Sequence, residues 1–152
     1  LAKITNLKMQ KGKLSDALKN ADVFIGVSSP NLVNQNMVKS MNKNPIVFAM
    51  ANPTPEIMPD VGKKAGAFIM GTGRSDFPNQ VNNVLAFPGV FLGAILARSK
   101  TITNNMKIGA AFALASTVRN PTVDNILPSP LDKSVAKIIA KEVAKIWREE
   151  NK

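Results

Sequence analysis

The sequence contains no cysteine, no histidine and no tyrosine. Without cysteine it has no disulfide framework and no thiolate nucleophile, as is usual in the cytosol. Without histidine and tyrosine the usual proton shuttles are missing, so any chemistry depends on carboxylates, lysines and amides. No apolar run approaches the roughly 20 residues of a membrane span, and no signal-peptide pattern heads the chain. We therefore expect a cytoplasmic protein with no membrane partner.

Length and composition indicate an ordinary globular chain. Its 152 residues, 45% of them hydrophobic and 20% charged, are enough for one domain with a hydrophobic core. The chain opens on Leu1 rather than on a methionine. We therefore expect it to be a fragment of a longer protein.

The formal net charge is +10. Clustered lysines and arginines bind nucleic acid by releasing counterions from the phosphate backbone. Here the lysines are dispersed, and no aromatic residues lie among them to stack on bases. We expect a lysine-rich solvated surface and no nucleic-acid partner.

Three short apolar runs, the first of them rich in β-branched residues, predict strands of a parallel sheet. They lie at residues 23–27, 46–51 and 67–70. Between them, Asn34 is a suitable N-cap for one helix, and Pro59 suits the first turn of another that ends at Gly66. A further short helix is predicted at residues 14–19. The alternation of strand and helix predicts βαβ units with right-handed crossovers.

The rest of the chain has helical signals. Asn79 can cap a short helix, Pro88 can start another, and Thr103 can cap a third. Ser129, with a proline after it, predicts the start of the last helix. One face of this helix carries lysines at steps of four, namely Lys133, Lys137, Lys141 and Lys145. Such a helix can bind a membrane or a partner, but its acidic residues favour one that packs on its own domain.

The predicted fold class is α/β, with a Rossmann-like parallel sheet, flanking helices and a helical C-terminal portion. The βαβ units occupy residues 1–78, and the mainly helical part occupies residues 79–152. Because the chain is expected to be a fragment, this arrangement is predicted to be part of a larger domain.

Polar side chains follow each predicted strand. Ser28 and Ser29 follow the first, Asn52 follows the second, and residues 71–83 follow the third. Ligands of an open parallel sheet bind beyond the carboxyl ends of its strands. Amides offer uncharged donors and acceptors that suit a ribose hydroxyl, a carboxamide or a substrate carboxylate. These positions therefore indicate a nucleotide site.

Some of these positions also have a purely structural interpretation. Asn52 precedes a proline and can simply shape a turn. Arg74 and Asp76 suit either a functional role or a local ion pair that fixes their loop. Gly71 and Gly73 look like the start of a dinucleotide fingerprint, but Asp76 stands where its third glycine would be. A glycine-permitted turn is predicted there instead.

The pair Asn82 and Asn83 is harder to explain by structure alone. It is followed by the apolar run at residues 84–87, and an amide buried there is costly unless a partner satisfies it. A bound ligand is one such partner. We therefore count both asparagines as candidate binding residues.

Three segments carry a resemblance to a known family. They read ADVFIGVS at residues 21–28, PIVFAMANP at 45–53 and GTGRSDFPNQVNNVLAFPG at 71–89. Their order and spacing resemble the bacterial malic enzymes over about residues 14–147. The first segment departs from the family pattern in its turn, where residues 29–31 replace a glycine- or alanine-rich loop. By resemblance, the chain is the C-terminal part of the NAD(P)-binding domain of a malic enzyme.

The resemblance implies an activity for the full-length protein. It is the oxidative decarboxylation of L-malate to pyruvate and carbon dioxide, with NAD or NADP accepting the hydride and Mg or Mn polarising the intermediate ketone. Asn52 is expected at the nicotinamide ribose, and Asn82 and Asn83 at the nicotinamide end and the malate carboxylate. Val27, Ser28 and Ser29 are expected to line the path of the cofactor.

The resemblance also implies which parts are missing. The general acid tyrosine, the catalytic lysine, the acidic metal ligands and the glycine-rich pyrophosphate loop of the family are expected to precede Leu1. The chain would then contain no catalytic residue and no metal ligand, and it would be inactive alone. Its expected partners are the remainder of the malic enzyme chain and, at full length, further copies in a homo-oligomer.

Two other functions remain open at this point. One is that of another nicotinamide-dependent dehydrogenase, such as an amino-acid dehydrogenase, since the doubly wound sheet is shared and only residues 71–89 argue against it. The other is a basic binding module without catalysis. Salt-dependent binding to DNA or anionic lipid, with no response to dinucleotide, would favour that module.

Overall fold

The computed structural model describes residues 4–152 and divides into two compact units. The first unit ends at Phe77, and the second runs from Pro78 to Lys152. Each unit has its own cluster of buried apolar side chains.

The first unit is built on a parallel sheet of three strands in the order β1-β2-β3. The strands are β1 (Val23–Gly26), β2 (Ile46–Ala49) and β3 (Ile69–Thr72). They alternate with the helices α1 (Leu14–Leu18), α2 (Gln35–Lys39) and α3 (Pro59–Lys64). The predicted α/β class with a parallel sheet and flanking helices is therefore confirmed.

β3 lies two residues further along the chain than the sequence predicts. Gly71 and Thr72 belong to this strand, where they pair with Phe48 and Ala49, and both are buried. The parallel pairing continues until Thr72, the last residue of β3, lies opposite Ala49, the last residue of β2. The glycine turn predicted to begin at Gly71 is therefore wrong, and the chain bends only from Gly73.

Local signals set the starts of two helices in this unit. The Oδ1 atom of Asn34 accepts a hydrogen bond from the Met37 amide at 3.0 Å, so the predicted N-cap is confirmed. Pro59 occupies the first turn of α3, where a missing N–H breaks no helical bond. Gly66, with φ +105°, follows this helix in the left-handed conformation that glycine favours.

The core of the first unit lies on one face of the sheet. Phe24, Val47 and Met70 extend from the three strands on this face and are buried. On the opposite face Val23 is 47% exposed and Ile25 is 62% exposed. Successive residues of a strand point to opposite faces, so the core covers one face of the sheet and the β1 residues of the other face stay exposed.

The second unit contains a 3₁₀ helix at Asn83–Leu85 and the helices α4 (Phe87–Leu96), α5 (Asn104–Ser116) and α6 (Lys133–Glu150). The helical C-terminal portion of the predicted fold is thus confirmed. Pro88 lies in the first turn of α4, and the hydroxyl of Thr103 accepts the Met106 amide at 3.2 Å at the start of α5. Both predicted start signals are confirmed.

Two other predicted caps are wrong. The last helix is capped by Asp132 rather than by Ser129, because the Asp132 carboxylate accepts the Ser134 amide at 2.8 Å. Asn79 does not cap a helix. Its buried side chain donates to the Val123 carbonyl at 2.8 Å and accepts the Ile126 amide at 2.9 Å, so it ties distant loop segments together.

Two glycines let α4 approach α6 closely. A Cβ atom on Gly89 would lie 2.8 Å from the Ala136 carbonyl oxygen, and one on Gly93 would lie 2.6 Å from the Ala140 carbonyl oxygen. The predicted docked helix is confirmed, since α6 buries Ile139 and its neighbours while its four lysines stay exposed. Among the described residues, no helix has the length and apolar character needed to cross a bilayer.

Candidate functional site

A buried carboxylate joins the carboxyl ends of β1 and β2. Glu56 is fully buried, although it lies in the loop after β2. Its Oε1 atom accepts the Ser28 amide at 2.8 Å, and its Oε2 atom accepts the Ala51 amide at 3.0 Å. The loop after β1 and the end of β2 are therefore held by one side chain.

The pKa of Glu56 reflects two opposing effects. Burial acts to raise the pKa of this carboxyl, because a charge is costly away from water. The amides of Ser28 and Ala51 stabilise the ionised form, and with them the pKa lies below the ordinary glutamate value. Glu56 is thus a buried carboxylate that remains charged at neutral pH.

The backbone around Glu56 strengthens the same link. The Asn31 amide donates to the Pro55 carbonyl at 3.0 Å, and the Val33 amide donates to the Glu56 carbonyl at 2.9 Å. Asn31 has φ +56°, a left-handed conformation that asparagine tolerates better than most residues. The loop after β1 is therefore fixed along its length by the loop after β2.

The first unit brings four predicted cofactor residues together at these strand ends. Val27, Ser28, Ser29 and Asn52 are all exposed there. Within residues 4–152, no hydrogen bond occupies the side chains of Ser29 and Asn52. The strand ends thus present a hydroxyl and a carboxamide that are free to bind a ligand.

Beyond β3, the loop is stiffened by a local ion pair. Arg74 donates two hydrogen bonds to Asp76, at 2.9 Å from Nε and 2.7 Å from Nη2. Its guanidinium carbon also lies 5.6 Å from the ring centre of Phe77. The hydrogen bonds from Arg74 lower the pKa of the Asp76 carboxyl. The structure therefore contains the local pair that the sequence allowed as one of two interpretations.

In the second unit the two predicted asparagines differ in their local roles. The Oδ1 atom of Asn82 accepts the Val84 amide at 3.0 Å and caps the 3₁₀ helix. The Asn83 side chain has no hydrogen bond to any of residues 4–152. Both side chains are exposed, so neither is a buried amide that must have a partner. Asn83 has its whole carboxamide free for binding, whereas Asn82 keeps only its NH₂ group.

Sequence reasoning missed Glu56 and misassigned Asn79. A weak signal existed for Glu56, because it is a lone acid between prolines and the apolar residues Ile57 and Met58. An acid in such surroundings must find partners or lose its charge. One of its partners, Ser28, lies 28 residues away along the chain and leaves no trace in the local pattern.

The described residues suit a dinucleotide better than a metal ion. Exposed hydroxyl and carboxamide groups match the hydroxyls and carboxamide of a nicotinamide riboside. By contrast, residues 4–152 contain no group of three acidic, histidine or cysteine side chains that could hold a metal.

Glu56 should make the first unit sensitive to acid. A carboxyl whose pKa is lower in the folded than in the unfolded state stabilises the fold above its unfolded pKa. That stabilisation is lost as the pH falls below about 4.3, the usual glutamate value. Urea unfolding of the protein at pH 6 and at successively lower pH should show this loss, and Glu56→Gln should show a smaller change with pH. An equal pH dependence in both proteins would contradict the assignment.

The parallel sheet with free polar groups at its strand ends has the form of a dinucleotide-binding α/β domain. Comparison with known families agrees, since residues 2–147 match the family described as malic enzyme, NAD binding domain. The chain is 54% identical over 147 residues to the bifunctional malic/malolactic enzyme of Bacillus subtilis, covering 95% of this chain and 36% of that protein. The chain belongs to the malic enzyme family and corresponds to its NAD-binding domain.

Other similar proteins come from different organisms. The NAD-dependent malic enzyme of Geobacillus stearothermophilus is 46% identical, covering 93% of this chain and 30% of that protein. The crystal structure of the Pyrococcus horikoshii malic enzyme superposes with a TM-score of 0.92 at 47% identity, covering 96% of this chain and 34% of that one. The chain thus spans about a third of the length of the relatives that it matches.

Proposed function

We propose that this chain belongs to an enzyme that oxidatively decarboxylates L-malate to pyruvate and carbon dioxide and reduces NAD or NADP. Relatives named as NAD-dependent and as NADP-dependent malic enzymes support the reaction and leave both cofactors in the proposal. The observation that carries it is the pair of strand ends joined by Glu56, which present free polar groups in a chain of this family.

Within this reaction the residues of the first unit bind and orient the cofactor. NAD or NADP, when bound, accepts the hydride from malate. We assign Val27, Ser28 and Ser29 to the path of the dinucleotide and Asn52 to the nicotinamide ribose. An amide can both donate to and accept from a ribose hydroxyl, and Asn52 has both functions available.

The residues of the second unit are assigned to the reacting end of the ligands. Asn82 uses its Oδ1 atom as a helix cap, so its NH₂ group remains to donate to a malate carboxylate. Asn83 has its whole carboxamide available for the nicotinamide end or the malate carboxylate. These contacts hold substrate and cofactor in a reactive orientation, which is a large part of enzymatic rate enhancement.

The remaining machinery is assigned to the rest of the enzyme. Since residues 4–152 form no metal site, we place the ligands of Mg or Mn and the catalytic acid and base elsewhere in the full-length protein. We further propose a homo-oligomer in the cytoplasm. Exposed apolar side chains on α4 and α5, such as Ile95 and Phe112, offer surface for assembly, and the absence of cysteine suits a reducing compartment.

The full-length protein should reduce NAD or NADP when supplied with L-malate and Mg or Mn, with pyruvate and carbon dioxide as products. Absorbance at the wavelength of the reduced nicotinamide measures the rate. Turnover with an amino acid instead of malate would mean another dehydrogenase. Salt-dependent binding to DNA or anionic vesicles, without any response to dinucleotide, would mean a basic binding module.

The chain alone should show no malate-dependent reduction of NAD or NADP under the same conditions. It lacks tyrosine for the family's general acid, and its described residues form no metal site. Full-length protein at equal molar concentration is the control. Measurable turnover by the chain alone would contradict the assignment of catalysis to the rest of the enzyme.

A further inference from the structure

Glu56 occupies a place in the fold that is closed around its carboxylate. A Cβ atom on Gly26 would lie 2.5 Å from the Glu56 Cδ atom and 2.6 Å from its Oε1 atom. The last residue of β1 must therefore be a glycine for the carboxylate to reach the Ser28 amide. This close packing leaves Glu56 no exposed surface, so it cannot touch a ligand itself.

The hydrogen bonds to Glu56 determine which groups of Ser28 remain available to a ligand. The Ser28 amide is used by Glu56 Oε1 at 2.8 Å, and the Ser28 hydroxyl lies 3.4 Å from the same atom. A hydroxyl that donates to the carboxylate keeps its lone pairs for a ligand donor. Ser28 therefore presents an acceptor, which suits a sugar hydroxyl.

The same arrangement is unsuited to a phosphate group. Phosphate sites in α/β folds use free backbone amides at the turn after a strand. Here the amides of Ser28 and Ala51 are both occupied by a carboxylate that is itself negative. A negative charge beneath the loop repels a pyrophosphate and tolerates a neutral ribose or a cationic ring.

We propose that Glu56 is a positioning residue for the nicotinamide riboside half of the dinucleotide. By holding the Ser28 and Ala51 amides together, it sets the orientation of Ser28 and of Asn52, the residue after Ala51. The inference rests on the proposed function and adds a residue that acts on the cofactor through its neighbours. Loss of this link should loosen the riboside half of the cofactor and leave the adenylate half unaffected.

The test is Glu56→Gln in the full-length enzyme. Glutamine has one acceptor oxygen in place of two, and its NH₂ group would face an amide donor. We expect the KM and Kd for the dinucleotide to rise by about 10-fold, as when an outer-shell partner of a bound group is removed. The Kd for AMP, which carries only the adenylate half, should stay within about twofold, and Glu149→Gln should change neither value. Glu149 is an exposed acid on α6 and serves as the matched control.

Binding of AMP separates a positioning role from general damage to the fold. An equal rise of the Kd for AMP and for the dinucleotide, or no rise of either, would overturn the inference. If Glu56→Gln does not fold, Ser28→Ala replaces it, because this change keeps both amide bonds to Glu56 and removes the outward acceptor together with the 3.4 Å contact of the hydroxyl with Glu56. The same contrast between dinucleotide and AMP is then expected, and its absence overturns the inference. Failure of the unaltered enzyme to bind dinucleotide would instead refute the proposed function.

Discussion

Replacing Asn83 with alanine in the full-length enzyme is expected to lower kcat/KM for malate by about 10- to 150-fold. Its carboxamide is exposed and has no hydrogen bond within residues 4–152, so the replacement removes the proposed ligand contact without breaking an internal hydrogen bond. A hydrogen bond to a charged partner contributes about 1.5–3 kcal/mol, and each 1.4 kcal/mol is a factor of ten in rate. Initial rates over a range of malate and dinucleotide concentrations measure the change.

Two comparisons make the Asn83 result specific. Asn120→Ala removes another exposed asparagine of the same unit and should leave kcat/KM unchanged. Asn82→Ala should lower both activity and stability, because it also removes the cap of the 3₁₀ helix. The assignment of Asn83 to ligand binding fails if Asn83→Ala has the activity of the unaltered enzyme.

Gly93→Ala is expected to destabilise the contact between α4 and α6 by about 1–3 kcal/mol relative to Gly109→Ala. The added Cβ would lie 2.6 Å from the Ala140 carbonyl oxygen and 2.7 Å from Val143 Cβ. Both are atoms on or next to the backbone of α6, so the helices would have to separate. Hydrogen exchange of the amides in α4 and α6 of the full-length protein measures the free energy of opening.

Gly109→Ala is the matched control because it also converts a helical glycine to alanine. Its Cβ would overlap the Cδ1 atom of Ile146, which is the flexible end of a side chain and can rotate away. The gain in helix propensity, about 1 kcal/mol, is the same in both variants and cancels in the comparison. Equal exchange rates in the two variants would mean that α4 and α6 do not depend on the small side chain of Gly93.

Features encoded over a few residues could be predicted from the sequence. The three strands follow from short apolar runs, and the caps at Asn34 and Thr103 follow from side chains that bond to amides three residues away. The position of β3 could not be predicted in the same way. The ends of β3 are set by its pairing with β2. Glycine has a low intrinsic preference for strands, so the sequence alone does not place Gly71 in β3.

The candidate site shows the same division. The common position of Ser28, Ser29 and Asn52 could be predicted because a parallel sheet brings the residues after its strands to one edge. Glu56 was missed because its partner Ser28 lies 28 residues away, and Asn79 was misassigned because its partners lie 44 and 47 residues away. The local sequence gives no sign of hydrogen bonds to residues so far away, so both side chains resemble those of ordinary turn or loop residues.

The exposed side of β1 affects how the chain behaves in solution by itself. Parallel sheets in proteins are covered on both faces, and here Val23, Ile25 and Val27 face water. Phe24 is buried on the other face of the same strand, whereas these exposed apolar side chains can associate with a similar apolar surface. Association of folded chains, rather than their unfolding, then limits the concentration at which this chain can be studied apart from the rest of its enzyme.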